Sequence, residues 1–423
     1  MKSKVWLLAF FLVPSLFSEG VANEIRVSPG VDTLSAAVNT AFDGDTLVLE
    51  DGVYYGPVLV NKSLTIRPVN RSTYSAIAGV MAIDGVNINV TVQGLRFANH
   101  LNLERAASVR VLENEWVSGS LNANNYRTSE GDGSLFIVGN RMAAGSRIND
   151  IRSDGAYVAG NVLAGGWILV HAYAWVVGNE IWGGDGQPGI MASNGSSRSM
   201  VLANRVLCDA ARSFTFPYTG CVDVRSPSTL IASNVVKVND RGSFFDGNAG
   251  IYFSGTGTAE ILNNVVYGTP PSASQGRAGI LADSGMGRIS GNIVVQWTSN
   301  KNPIDFDPNT MLVTHNICYN SSGNCPPGEG NRVVDPRFVD YQDFRLRPDS
   351  PAINAGPPDD GLADLDRTRN DMGVYGGPWS IGQYDAQRDP NNFAPYVYPL
   401  FNAGSILSGD TLEVHALGVA RLR

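Results

Sequence analysis

The sequence predicts an all-β fold, a single-stranded right-handed parallel β-helix with an N-terminal capping helix and a C-terminal closing module. Three observations lead there. Short apolar segments each end in an asparagine, at Asn114, Asn140, Asn161, Asn179, Asn204, Asn234, Asn264, Asn292 and Asn316. Three positions before each stands a β-branched residue: Val111, Ile137, Val158, Val176, Val201, Ile231, Ile261, Ile289 and Val313. Two positions after each stands Trp116, Met142, Leu163, Ile181, Val206, Val236, Val266, Val294 or Cys318. Two inward positions five residues apart cannot share one strand, whose side chains alternate with period two, so the chain bends at the asparagine. Asparagine tolerates the left-handed conformation of a tight bend, and its amide can hydrogen-bond its counterpart one coil on. Stacked coils would align these amides as a ladder.

Composition agrees. The 423 residues carry 47 glycines and only 17% charge, a balance that favours turns over surface helices. The net charge of −8 leaves no basic stripe to offset a phosphate backbone, which argues against nucleic acid as a partner. Lys2 and Lys4, the apolar run Val5 to Val13, Pro14 and small residues ending at Ala22 have the layout of a secretory signal peptide over 1–22. No later apolar stretch is long enough for a membrane span, so a soluble protein, secreted or periplasmic, is expected. The four cysteines fall as two local pairs, Cys208 with Cys221 and Cys318 with Cys325, and an oxidising compartment would let them bridge.

In chain order, Asp32 can cap a helix whose Leu34, Ala37, Val38 and Ala41 share one face, a lid over the exposed first coil. Thr46 to Leu49, Val58 to Val60 and Leu64 to Ile66 supply the first turns. Farther on, Gly189-Ile190, Gly250-Ile251 and Gly279-Ile280 open strands at a nearly constant distance before their asparagines, so each repeat holds at least two strands and no helix. Leucine-rich repeats lack a matching leucine pattern here, and propellers need antiparallel hairpins. The helix with its cap is expected over 23–330, the closing module over 331–378, and a tail of unassigned role over 379–423, in which Thr411 to Val414 reads as a strand.

Two stretches resemble secreted bacterial right-handed parallel β-helix proteins of the pectin-lyase-like superfamily. The first is Gly44 to Leu49, Gly52-Val53-Tyr54 and Lys62 to Ile66. The second is Asp335 to Phe338, Asp343 to Leu346, Ser350 to Gly356 and Asn370 to Gly377, similar to that group's C-terminal module. The resemblance implies contact with acidic or neutral polysaccharide, as lyase, hydrolase, epimerase or binder. Gly56 stands where a pectin methylesterase would carry an acid, and the Asn-Thr-Asp, Gly-His-Gly and Trp-x-Asp-His elements of polygalacturonases and pectate lyases are absent.

Strand parity then selects candidate residues. In Val222-Asp223-Val224-Arg225 both valines belong to the core and both charges to the outer face, because burying a lone charge is costly. By the same parity Tyr252, Ser254, Leu281 and Asp283 face outward on the next two coils, and Trp167, Leu169 and His171 on an earlier one. Connections through Cys208 to Tyr218 and through Lys237, Asp240, Arg241 and Asp246 would wall that face. A lyase needs a cation to neutralise the sugar carboxylate and a base to take the carbon-bound proton. Arg225 or Arg241 suits the first task, and Lys237 or His171 the second. A hydrolase would instead pair Asp223 with Asp240 or Asp283. The expected catalytic group is therefore Asp223, Arg225, Lys237 and Asp240, with Trp167, His171, Arg241, Tyr252 and Asp283 binding substrate. Asp364, Asp366 and Asp371 resemble a hard-cation cluster without an EF-hand's glycine and glutamate, and calcium is the cofactor they suggest. Two functions fit: a polysaccharide lyase, or a non-catalytic glycan-binding or structural surface protein.

Overall fold

The computed structural model describes residues 22–70, 74–124, 126–128, 134–183, 188–193, 199–210, 220–240, 249–268, 278–297, 302–321, 323–384, 396–400 and 415–419, with backbone alone at 127–128, 209–210, 240, 396–400 and 415–419. The signal segment, Arg241, Asp246 and Thr411 to Val414 lie outside them.

Each coil supplies three strands, and like strands of successive coils pair in parallel. They form three sheets of 13, 13 and 12 strands, with single coils stacked in sequence order. In each repeat the first sheet leads into the asparagine corner, the second sheet leaves it, and the third sheet returns the chain toward the next coil. The predicted β-branched positions fall on the first sheet in direct register, Val111 on Ile137 and Val201 on Ile231. The positions two after each asparagine fall on the second sheet, Val206 on Val236 and Val266 on Val294. Both sets point into one continuous core together with Ile190, Val222, Val224, Ile251, Phe253 and Ile280 of the third sheet. Buried apolar side chains stacked coil on coil are the main favourable term.

The amides do form a ladder. Asn161 Oδ1 accepts from the backbone N–H and the Nδ2 of Asn140, at 3.0 and 2.9 Å, while Asn161 Nδ2 donates to Asn179 Oδ1 and to the Ile137 carbonyl, both at 2.9 Å. The same pattern runs through Asn204, Asn234, Asn264 and Asn292. It continues past Asn316 to Asn331, which accepts from Asn316 N and Nδ2. The repeat therefore outlasts its β-branched signature by one corner. The left-handed residue at each bend is not the asparagine but the one before it: Glu113, Ala203, Ser233, Asn263 and His315 have φ between 52° and 56°, and Gly139, Gly160, Gly178 and Gly291 take the same role. The asparagine is required for its hydrogen bonds, not for its backbone.

Helix Thr33–Thr40 buries Leu34 and Val38 over the first coils, as a lid should. Asp32 makes no side-chain cap and itself takes the left-handed conformation, φ 57°. The helix is held from its other end, where Lys62 Nζ donates to the carbonyls of Val38, Asn39 and Ala41 at 3.1, 2.8 and 2.6 Å, a cation among C-terminal carbonyls. Both disulfides are formed, Cys208–Cys221 between the second and third sheets and Cys318–Cys325 at the last coil.

The start of the C-terminal segment continues over the last coil, where Arg332 bridges to Ile317 and Asn331 to Asn316. The module then runs back along the flank by the asparagine corner, where Phe344, Ala352, Met372, Val374, Ile381 and Tyr384 pack against Val177, Leu202, Leu230, Val265 and Ile293. Asn263 Nδ2 donates to Asn370 Oδ1 and the Asp371 carbonyl at 2.9 and 2.6 Å, tying the module to the bend itself. In the tail, Tyr396–Leu400 pairs antiparallel with His415–Val419.

Each ladder amide uses both oxygen lone pairs and both N–H bonds in a dry environment, so Asn204→Ala should strand several partners at once and cost about 2–4 kcal/mol. Asn204→Asp should cost more, because it removes both donors and buries a carboxylate. Urea unfolding of the two variants checks this, and a loss below about 0.5 kcal/mol for Asn204→Ala would contradict it.

Candidate functional site

The outward face of the third sheet carries two columns of side chains. In the first, Leu169, Met191, Asp223, Tyr252 and Leu281 stand in register on successive coils. In the second, one step past each strand end, backbone hydrogen bonds align His171, Ser193, Arg225, Ser254 and Asp283. Of the expected residues, Asp223, Arg225, His171, Tyr252 and Asp283 are thus gathered on one face. Trp167 lies at the other edge of the same sheet, and the Arg147 guanidinium of the preceding coil covers its ring at 4.0 Å.

Parity placed Asp223 outward correctly, but the residue is fully buried. Its charge is tolerated because Arg225 clamps it, Nε to Oδ1 at 2.7 Å and Nη2 to Oδ2 at 2.8 Å, a bidentate fork of the strong kind. Both of its oxygens are taken by that fork, and Asp283 is exposed two coils away, about 10 Å along the sheet, beyond the separation of a hydrolytic pair. Tyr252 is only 9% exposed and joins Ala249, Ala278 and Leu281 in a small apolar cluster on the outer side of the sheet, with the Arg225 guanidinium 5.5 Å from its ring centre. It is not an open stacking platform.

Lys237 and Asp240 stand elsewhere than expected. Both belong to strand Val235–Asp240 of the second sheet, away from Asp223 and Arg225, and nothing is described of the Asp240 side chain. Lys237 faces the C-terminal module, donating to the Tyr341 carbonyl at 2.7 Å above the rings of Tyr267 and Phe344. Burial first, and then the charge of Arg205, hold its ammonium below the ordinary lysine range. A cleft of about 240 Å³ opens beside it, lined by Glu180, Trp182, Arg205 and Gln342 among others.

Two residues that were not foreseen complete the third-sheet face. The strand Ile148–Ile151 carries a bulge in its pairing to the next coil, with Asp150 left-handed at φ 60°. The extra residue turns the Asp150 carboxylate onto the next coil, where Oδ1 lies 2.9 Å from His171 Nε2, with Arg152 Nη2 3.6 Å away. The other ring nitrogen, His171 Nδ1, is 2.7 Å from Ser193 Oγ on the following coil. The sequence held a signal for this, since Ile148 and Ile151 are inward residues three apart where a regular strand would space them by two.

The aspartates of the C-terminal module are engaged within it. Asp364 accepts from the backbone N–H of Asp371 and of Gly377, Asp366 binds Thr368, and Asp371 accepts from Asn354 N at 2.6 Å, so the carboxylates hold their own loops. Among the described residues no group of three or more His, Cys, Asp or Glu is arranged for a metal.

No family model and no curated protein matches the chain. Among solved structures it is similar to the pectate lyase Pel9A, with a TM-score of 0.36 and 14% identity over 84% of this chain and 96% of that one. It is also similar to AlyGC, an alginate lyase of family PL6, with a TM-score of 0.45 and 12% identity over 84% of this chain and 57% of that one. The chain is a parallel β-helix. Its three parallel sheets and its amide ladder make it one.

Burial, and then the nearby charges of Asp364 and Asp366, push the Asp371 carboxyl up to about 6. A carboxyl raised above its unfolded value near 3.9 binds its proton more tightly when folded, so stability is full below about pH 4 and falls as pH rises toward 6. Asp371→Asn should remove that fall and raise the thermal midpoint at pH 7 by roughly 1–3 °C. Melting curves from pH 4 to 7 check it, and parallel pH profiles for both proteins would contradict it.

Proposed function

We propose that the protein is an exported lyase acting on an acidic polysaccharide laid across the outward face of the third sheet. One observation carries this reading: a carboxylate-held imidazole, His171, and a carboxylate-held guanidinium, Arg225, stand two coils apart on one outward column. Arg225, oriented by Asp223, faces the uronate carboxylate and makes the neighbouring carbon-bound proton more acidic. His171 is the base. Asp150 accepts its Nε2–H and leaves the lone pair on Nδ1, and a sugar ring seated there displaces the Ser193 hydroxyl from it. Asn102 and Asn122, joined at 3.0 Å on earlier coils of the same sheet, extend the face with amides suited to sugar hydroxyls. The export signal and the two disulfides support an extracellular or periplasmic site of action.

A non-catalytic glycan-binding role draws on a different fact, that Asp223 already offsets the charge of Arg225. Incubation with alginate, pectate, chondroitin and heparin, followed by absorbance of the unsaturated product, separates the two. Product on one of them, reduced by about 10²-fold or more in kcat for Arg225→Ala, is the expected result. Retained binding without product on any of them would favour the second role.

A further inference from the structure

We propose that Asp150, His171 and Ser193 form a serine-nucleophile centre that hydrolyses small carboxylic esters, of the size of an acetyl group carried on a sugar hydroxyl. The three side chains come from consecutive coils and are linked in one chain, carboxylate to Nε2 at 2.9 Å and Nδ1 to hydroxyl at 2.7 Å. A nucleophile within reach of a base, and the base oriented by an acid, is the geometry that activates a serine, whichever ring nitrogen faces it. The acid is in place only because of a local backbone irregularity. Asp150 is the left-handed residue of the one bulge in its strand's pairing to the His171 coil, and without it the carboxylate would follow the ordinary alternation of the strand.

The tautomer follows from the partners. An ionised Asp150 only accepts, so Nε2 carries the proton and Nδ1 offers its lone pair to the Ser193 O–H. As Oγ attacks the ester carbonyl carbon, its proton passes to Nδ1. The alcohol C–O bond then breaks, the leaving oxygen takes that proton, and an acyl-serine remains. Water repeats the sequence, with Nδ1 taking its proton and returning it to Oγ, so ester and water give acid and alcohol. Arg225 follows Ser193 one coil further along the column, about 5 Å on by the strand spacing, with its guanidinium held by Asp223. Ser193 is only 5% exposed, which admits a small acyl group projecting from a substrate and excludes a carbonyl embedded in a polymer backbone.

The sugar that bears the ester rests on the reading above, but the ester chemistry does not. The test therefore uses p-nitrophenyl acetate and a fluorophosphonate probe with the full-length protein, neither of which contains a uronate. Expected are hydrolysis, about one probe per chain mapped by mass spectrometry to Ser193, and a loss of about 10³-fold or more in kcat for Ser193→Ala. Asp150 is a positioning residue, so Asp150→Asn should lower kcat with KM unchanged. Labelling of the wild-type protein keeps the test decisive if a variant misfolds. Absence of probe at Ser193, or hydrolysis equal in wild type and Ser193→Ala, would overturn the proposal.

Discussion

A stack of buried amides sets the geometry of everything else in this protein. Each ladder asparagine joins the coil before it to the coil after it through its oxygen and its nitrogen, and those from Asn114 to Asn316 are wholly buried from solvent. The step from one ladder asparagine to the next can therefore vary between 15 and 30 residues without disturbing the corner. Register at the corner is inherited by all three sheets, so residues from coils far apart in sequence come to stand in straight outward columns. The C-terminal module exploits the same feature. Asn263, the left-handed residue of one corner, turns its amide outward to hold Asn370 and Asp371, and the module is thereby fastened to the flank.

On the outward face of the third sheet, the charged groups are arranged as held pairs. Asp223 lies beneath Arg225 and Asp150 beside His171, each carboxylate fixing the orientation of a partner that can act on a substrate. A lone buried aspartate would be too costly, and a lone exposed histidine would have no defined tautomer. The pairing resolves both problems and also tempers the charge that Arg225 can offer. The second sheet has its own cleft, where burial and then the charge of Arg205 disfavour the Lys237 ammonium, beside the exposed Trp182.

The coil was legible because its signals are local: a β-branched residue, a bend and an apolar residue at fixed spacing, repeated. Parity within one strand gave the direction of Asp223, Tyr252 and His171 correctly. Direction is not exposure, and Asp223 and Tyr252 prove buried because other groups cover the outer face as well. The grouping of Lys237 with Arg225 failed for a related reason. They are close in sequence, yet a bend and a change of sheet separate them.

The sequence by itself determined the repeat, its corners, the cysteine pairs and the inward side of each strand, since all of these depend on residues within one coil. Only the tertiary structure decided which outward residues meet, because Asp150, His171 and Ser193 are separated by whole coils and aligned by stacking. It also decided that the last module lies along the flank and that Asn331 extends the ladder, both of which depend on surfaces that exist only once the coils are stacked.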